Sequence, residues 1–583
     1  MDLGRGSRLA KERVSCFGVE AMQPDPAHRV TGLLAPVFAL RGREDFGIGD
    51  VAAVDEMVDW CAERGIRVLQ ILPINETGAD HSPYNAISSI ALDPATLSLA
   101  SRFLPELPKR ERAKLTNIAV TDALASGPVR YPEVKALKHR ALRAAFDASV
   151  GAEGRAAASA AEFEAFVQAE SDWLSDYALF RTLMDRHRDG AVWESWPAEH
   201  QTPEGARSWA AALPPKARAE FGRTARFHAW VQWIAFRQWS AVRERARRRG
   251  VSLMGDIPFG IGRCSADVWA RRDEFDLRWS CGAPPEPFFK PDLFTERWGQ
   301  NWGLPLYRWD RMRENGFAWW RQRVKSVARV FDLFRVDHVL GFYRVYAFPW
   351  PPWENGDYLS LDQEQAKAKA GDLPRFWPEG DEREESRAAN RVHGETLMRM
   401  LLDASGECGV VAEDLGWTPD YVRPSLASLG VPGFKIPLFE RRQDGTYTPV
   451  ESYAPLSVAT FATHDHEPLA AMWERWSRDP NGAVEARRAA DWAGWGARAL
   501  PTAFTPELHA AFCRRLLDGP SWLAAFMITD LLGLTLRFNI PGPMSASNWT
   551  ARLPVAVAEL GKDAEAARRL AAIGDLRRIN SRV

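Results

Sequence analysis

Eight short apolar runs recur along the chain, and most are separated by stretches with the 3.6-residue apolar spacing of helices, such as residues 50–64, 418–429 and 506–517. A strand, helix, strand order implies parallel pairing, and eight such units predict an α/β fold of the (β/α)8 TIM barrel type. An open doubly wound sheet is the alternative, but no phosphate-binding GxGxxG pattern follows the first run. The predicted strands are residues 32–38, 68–72, 251–258, 330–337, 409–413, 433–439, 458–463 and 526–530.

A long interval rich in Ala, Arg and Glu separates the second predicted strand from the third. We therefore predict residues 1–94 as a lead-in with strands one and two, 95–245 as a helical insertion, 246–552 as strands three to eight, and 553–583 as a C-terminal helix. Trp230, Trp233 and Trp239 in the insertion are expected to pack in its core. Residues 282–298 and 363–391 are expected to be loop excursions, and Trp377 in the second could touch substrate.

Acidic residues cluster where the predicted strands end. In a barrel these ends meet at one mouth, where active sites of this fold lie, and gathering carboxylates there costs electrostatic energy unless they serve a purpose. Arg335 lies two residues before Asp337 on the same strand face and favours its ionised form. A structural ion pair explains that pair alone, but not the whole set. The acidic residues are Asp256, Asp337, Glu413, Asp465 and Asp530.

Two carboxylates with separated pKa values are what glycoside chemistry requires. Glu413 emerges from the apolar run 410–412, so it is expected to stay protonated and donate a proton, while Asp337 stays ionised.

The overall charge favours a neutral substrate. The chain has 583 residues with 75 basic and 76 acidic side chains, a net charge of -1, which predicts neither nucleic-acid nor anionic membrane binding. No apolar run reaches about 18 residues and the N-terminus has no apolar signal core, so we expect a cytoplasmic protein. Six cysteines without a CxxC pair argue against disulfide or zinc frameworks.

Six groups of residues together resemble the 4-α-glucanotransferases called amylomaltases or disproportionating enzymes, glycoside hydrolase family 77, relatives of the α-amylases. The matching stretches are residues 70–74 with 82–84, 255–258 with 265–270, 299–303, 335–338, 412–416 and 463–465. The resemblance covers residues 32 to about 552, and residues 539–542 with 548–549 are similar to the family's closing motif.

The resemblance implies transfer of α-1,4-glucan segments to the 4-hydroxyl of glucose or a maltodextrin by a retaining mechanism, without a cofactor or metal. Asp337 would attack the anomeric carbon, Glu413 would act as acid and then base, and Asp465 would stabilise the distorted sugar. Asp337 and Glu413 should then lie roughly 5 Å apart. Further substrate-binding residues implied by the same motifs are Arg335, His338, His464, Tyr84, Ser82, Asp256, Asp292, Gln300 and Trp302. Oligomeric state is left open.

Departures from the family pattern leave other functions open. His466 stands where asparagine is usual, His81 where aspartate is usual, and Pro543 where threonine is usual. A hydrolase of α-glucans would use the same three acids with water as acceptor, and a catalytically silent glucan-binding homologue is a further alternative. His464 and His466 also form the HxH pattern of a metal hydrolase.

Overall fold

The computed structural model describes residues 22–115, 123–150, 155–188, 190–286, 291–541 and 545–577. Within them the chain forms strands that fall into two sheets. In chain order they are β1 (Val30–Leu34), β2 (Val68–Gln70), β3 (Ser252–Ile257), β4 (Phe275–Ala283), β5 (Gln300–Tyr307), β6 (Leu333–Val336), β7 (Val345–Phe348), β8 (Arg375–Trp377), β9 (Gly409–Ala412), β10 (Gly433–Lys435), β11 (Ser457–Ala459) and β12 (Leu523–Met527).

Eight strands form one parallel sheet in the order β10, β11, β12, β1, β2, β3, β6, β9. The two outer strands of this order meet, because the Ala412 N–H at the end of β9 donates to the carbonyl of Pro432, directly before β10, at 2.9 Å. The predicted (β/α)8 barrel is confirmed.

Alternation along the strands separates the barrel interior from the layer beneath the helices. On β6, Leu333 belongs to a small inner cluster, whereas Phe334 and Val336 belong to the large core that includes the helices. Arg335 therefore shares the inner face with Leu333, as predicted. Each barrel strand contributes to the inner cluster, through Val30, Val68, Met254, Leu333, Val411, Phe434, Val458 and Leu523.

Helices surround the barrel and fill the interval between β2 and β3. The described α-helices are Val51–Glu63, Lys109–Leu115, Tyr131–Val150, Arg155–Ala169, Ser171–Arg186, Pro203–Ala212, Pro215–Arg248, Ala266–Ala270, Leu293–Trp298, Trp309–Glu314, Ala318–Val330, Leu340–Tyr343, Asn355–Tyr358, Gln363–Ala370, Glu384–Ser405, Val422–Ser428, Leu469–Arg478, Gly482–Trp492, Pro506–Asp518, Ile528–Leu532 and Ala564–Ile573. None of them combines the length and apolar composition that a membrane crossing needs.

The longest helix, Pro215–Arg248, joins the insertion to the barrel. Its middle turns bury Trp230, Trp233 and Trp239, which are 2%, 6% and 0% exposed, so these tryptophans pack as predicted. Nearer its C-terminal end, Arg245 forms ion pairs with Asp55 and Asp59 at 2.9 and 2.6 Å. The predicted domain boundaries stay a prediction.

The second sheet was not predicted from the sequence. Its strands run antiparallel in the order β5, β4, β7, β8, so the excursions at 282–298 and 363–391 include parts of a folded sheet rather than loops alone. Several predicted strand limits were also wrong: the first, sixth and seventh barrel strands are shorter than predicted and end at Leu34, Lys435 and Ala459. The fourth barrel strand begins at Leu333, because the preceding helix continues to Val330, and the eighth is Leu523–Met527, followed by the helix Ile528–Leu532.

Candidate active site

The candidate acids follow the ends of neighbouring barrel strands. Asp337 comes directly after β6 and Glu413 directly after β9. The Asp337 N–H donates to the Ile257 carbonyl and the Glu413 N–H to the Val336 carbonyl, each at 2.9 Å. These bonds extend the strand ladder by one residue and fix where both side chains leave the backbone.

Arg335 lies among three carboxylates at this mouth. Its Nη1 donates to Asp256 Oδ2 at 2.6 Å, and its Nη2 lies 2.8 Å from Asp337 Oδ1 and 3.8 Å from Glu413 Oε2. Although burial disfavours a cation, these carboxylates raise the pKa of Arg335 well above its ordinary value. One fixed positive charge therefore positions both acids needed for glycoside chemistry.

The shared Nη2 atom limits the distance between the two acids. Asp337 Oδ1 and Glu413 Oε2 can be no more than 6.6 Å apart, the sum of the 2.8 and 3.8 Å distances. Retaining glycosidases hold their carboxyl groups about 5–5.5 Å apart and inverting ones about 6.5–9.5 Å. The bound agrees with the predicted retaining geometry and is incompatible with a separation near 9 Å.

Glu413 is buried and held by backbone donors. Its Oε2 accepts from the His338 N–H at 2.8 Å and its Oε1 from the Leu415 N–H at 3.0 Å. Burial raises the pKa of Glu413 to about 8, with Asp337 adding to the shift and Arg335 opposing it. At neutral pH this carboxyl is mostly protonated, the state required of a proton donor.

Asp465 stays ionised in a more open position, with 37% of its side chain exposed. Asn539 Nδ2 donates to its Oδ1 at 2.6 Å, and His464 Nε2 lies 3.3 Å from the same oxygen. Burial opposes ionisation, but the His464 charge and the Asn539 hydrogen bond outweigh it, and the pKa of Asp465 lies below its ordinary value.

A wall of aromatic rings stands beside these acids. Tyr84 stacks on His464 with ring centroids 4.9 Å apart, and the Trp549 ring lies 5.9 and 5.7 Å from Tyr84 and His464. The Tyr84 hydroxyl donates to Asp256 Oδ2 at 2.7 Å, which ties the wall to the acid cluster. Ser82 Oγ accepts from the Tyr84 N–H at 3.3 Å and so supports the turn that presents this ring.

A second aromatic contact approaches from the antiparallel sheet. The Trp302 ring on β5 meets His338 edge to face at 4.9 Å, and its Nε1 donates to Gln300 Oε1 at 3.2 Å. His338 adopts a left-handed backbone with φ 42°, and burial lowers its pKa to about 4. His338 is therefore neutral and lies beside Asp337.

Two acidic residues that the sequence placed at the site accept hydrogen bonds from the N-termini of helices. Asp292 is exposed, and its carboxylate accepts from the Thr295 N–H at 2.8 Å as the N-cap of the helix Leu293–Trp298. Its role in substrate binding stays a prediction. Asp530 lies in the helix after β12 rather than at the strand end, and it accepts from the Leu469 N–H at 2.7 Å, which caps the helix that follows the Asp465 loop.

The residues that depart from the family pattern have defined surroundings where they are described. His466 Nδ1 accepts from the Thr463 N–H at 3.1 Å, and His81 stacks on Tyr131 with ring centroids 4.1 Å apart. In the described part of the chain, no group of three or more His, Cys, Asp or Glu side chains is arranged to hold a metal ion. Pro543 lies outside the described residues.

Comparison with known proteins identifies the family. The sequence profile of a family described as 4-alpha-glucanotransferase matches residues 35–557. The chain belongs to the 4-α-glucanotransferase family. A 4-α-glucanotransferase of Chlamydia caviae is 31% identical over 545 residues, covering 91% of each chain. One of Thermus thermophilus is 30% identical over 534 residues, covering 90% of this chain and 95% of the relative.

Solved structures agree with this membership at the level of the fold. The amylomaltase of Streptococcus agalactiae in complex with acarbose has a TM-score of 0.74 at 22% identity, covering 95% of this chain and 99% of that one. The amylomaltase of Corynebacterium glutamicum also has a TM-score of 0.74 at 22% identity, covering 94% and 75%. The family predicted from the motifs is confirmed, and the protein is an enzyme of the 4-α-glucanotransferase type that acts on α-glucans.

Proposed function

We propose that this 4-α-glucanotransferase moves segments of α-1,4-glucan between maltodextrins by double displacement, with Asp337 as nucleophile and Glu413 as acid and base. The observation that carries these assignments is the position of Arg335 Nη2 between the two carboxyl groups, one of which is mostly protonated at neutral pH. The net charge of the protein is -1, which suits an uncharged substrate.

In the first step, an Asp337 oxygen attacks the anomeric carbon while the glycosidic C–O bond breaks. The Glu413 proton moves to the departing oxygen, so the shortened glucan leaves with a free 4-hydroxyl and a glycosyl ester remains on Asp337. Arg335 Nη2 holds the Asp337 carboxyl for this attack at 2.8 Å, and the developing oxocarbenium charge is favoured by the carboxylates around it.

In the second step, Glu413, now ionised, takes the proton from the 4-hydroxyl of an acceptor sugar. The acceptor oxygen attacks the anomeric carbon, the ester bond to Asp337 breaks, and both acids return to their starting states. Two inversions give net retention.

The remaining site residues position the sugar. The exposed, ionised Asp465 carboxylate is suited to accept hydrogen bonds from sugar hydroxyls, with Asn539 and His464 fixing its direction. Tyr84 and Trp302 offer flat faces that can cover a pyranose ring and exclude water, and the buried His464 supports the Tyr84 ring by stacking on it. Exclusion of water favours a sugar acceptor over hydrolysis.

Incubation with maltotriose tests this function. We expect glucose plus a ladder of longer maltodextrins, with a constant total of reducing ends, by chromatography. Short products with rising reducing ends would mean hydrolysis, and an unchanged substrate would mean a silent binding protein.

Replacing Glu413→Gln should lower transfer by about 10³-fold, because the proton donor is lost, while maltotriose binding measured by calorimetry stays similar. Near-normal turnover by this variant would exclude Glu413 as the proton donor.

A further inference from the structure

An exposed tryptophan stands on the loop that carries Glu413. Trp417 is 70% exposed, four residues after the proton donor, beyond the end of β9. Water contact with so large an apolar ring is unfavourable, and an exposed aromatic ring on the loop that carries the proton donor can cover the face of a sugar. The wall formed by Tyr84, His464 and Trp549 does not include this residue.

The loop holds Trp417 in a defined position. The Leu415 N–H donates to Glu413 Oε1 at 3.0 Å, the Thr418 hydroxyl donates to the Asp414 carbonyl at 2.8 Å, and the Thr418 N–H donates to the Gly416 carbonyl at 2.9 Å. The last bond closes a tight three-residue turn with Trp417 at its tip. Few conformations are therefore lost when a ligand packs on the indole.

A carboxylate lies close to Gly416 in this turn. Glu286, which follows β4, has its Oε1 3.7 Å from the point that a Cβ on Gly416 would occupy. An aromatic ring and a carboxylate at one turn can recognise a sugar, since the sugar ring packs on one and its hydroxyls donate to the other.

We propose that Trp417, on the turn whose Gly416 lies close to Glu286, forms a subsite for a glucose unit on the leaving-group and acceptor side of the bond being cut. The side follows from the proposed function, on which this inference rests, because the group that protonates the departing oxygen lies next to the departing sugar. Trp417 thus contributes to the affinity for the acceptor sugar.

The test separates acceptor binding from formation of the glycosyl enzyme. With maltose or maltotriose as acceptor, Trp417→Ala should raise the acceptor KM about tenfold, and Trp417→Phe should restore most of the affinity. Glycosyl-enzyme formation from α-glucosyl fluoride, which has no sugar on the leaving side, should keep its rate. Glu286→Gln should raise the same KM less than Trp417→Ala does.

Trp353→Ala is the matched control, because Trp353 is 68% exposed but lies between β7 and β8. Its acceptor KM should equal that of the unaltered enzyme. An unchanged acceptor KM in Trp417→Ala would overturn the subsite. So would a rise in acceptor KM in Trp353→Ala as large as that in Trp417→Ala, or a loss of glycosyl-enzyme formation from α-glucosyl fluoride as large as the loss of acceptor affinity. Failure of the unaltered enzyme to make transfer products would instead overturn the proposed function.

Discussion

The two ends of β6 hold opposite arrangements of charge. Directly before the strand, the carboxylate of Asp332 is 1% exposed and receives Arg243 Nε at 2.9 Å, Arg247 Nε at 2.5 Å and the Leu253 N–H at 3.0 Å. Two arginines surround one acid, and both carboxylate oxygens have donors. This end joins the helix Pro215–Arg248 to the barrel.

At the C-terminal end of β6, one arginine contacts three acids. Arg335 contacts Asp256, Asp337 and Glu413, and among the described residues Asp256 Oδ1 and Arg335 Nε are buried without a hydrogen-bond partner. Balanced charge at the first end stabilises the fold, whereas at the second end burial and the neighbouring acids raise the pKa of Glu413 to about 8 and that of Asp256 to about 7. A barrel strand can thus carry stability at its start and chemistry at its end.

The largest effect should come from Asp337→Asn. Transfer should fall by at least about 10⁴-fold, because an amide cannot form the glycosyl ester, while the melting temperature changes little because Arg335 keeps its contacts with Asp256 and Glu413. Product chromatography and calorimetry measure the two quantities. Substantial transfer by this variant would exclude Asp337 as the nucleophile.

The corresponding substitution at the N-terminal end of β6 is Asp332→Asn. We expect a loss of about 3 kcal/mol in the free energy of unfolding, because two arginines lose a buried partner but are themselves partly exposed. The kcat of the folded enzyme should stay within about twofold of normal. A large fall in kcat without a fall in stability would contradict the division of roles between the two ends.

A smaller effect is expected from Asn539→Ala. Asp465 would lose its 2.6 Å donor, and a hydrogen bond to a charged group contributes about 1.5–3 kcal/mol, so kcat/KM should fall about 10- to 100-fold. Asn548→Ala is a suitable control, because Asn548 bonds the backbone of Ile540 in the same loop and not Asp465. Equal losses in both variants would indicate damage to the loop rather than to Asp465.

The pH dependence reports the protonation of Glu413. Glu413 donates its proton only when protonated, and burial raises its pKa to about 8, so kcat/KM should be level well below pH 8, reach half of that level near pH 8 and fall about tenfold per pH unit above it. The Asp332→Asn variant should show the same fall of kcat/KM at alkaline pH as the unaltered enzyme. An alkaline limb starting near pH 5 would show that Glu413 is not held protonated.

The barrel was predictable because its strands are short apolar runs bounded by polar residues. The antiparallel sheet was not, since Gly303 and Pro305 interrupt β5 and the pairing of β4 with β5 contains register shifts. The predicted start of the fourth strand at Val330 and the predicted end of the eighth strand at Asp530 were wrong for another reason. A buried helical turn and a buried strand are equally apolar, and a short run does not distinguish them.

The site was predictable where chemistry follows a strand end in the sequence, as for Asp337 and Glu413. Asn539 and Trp549 had been assigned only to a closing motif, because their contacts with Asp465 and Tyr84 join residues far apart in the chain. The sequence also does not distinguish a carboxylate that binds sugar from one that caps a helix, as Asp292 does.

In the proposed mechanism, Asp337 forms a covalent glycosyl ester while Glu413 supplies the proton. To trap this ester, Glu413→Gln is mixed with α-glucosyl fluoride, whose fluoride leaves without a proton donor, and the intact protein and its proteolytic peptides are measured by mass spectrometry. We expect a protein heavier by one anhydroglucose unit, with the added mass on the peptide that contains Asp337. An adduct on another residue, or turnover of the fluoride to a product of inverted anomeric configuration, would contradict it.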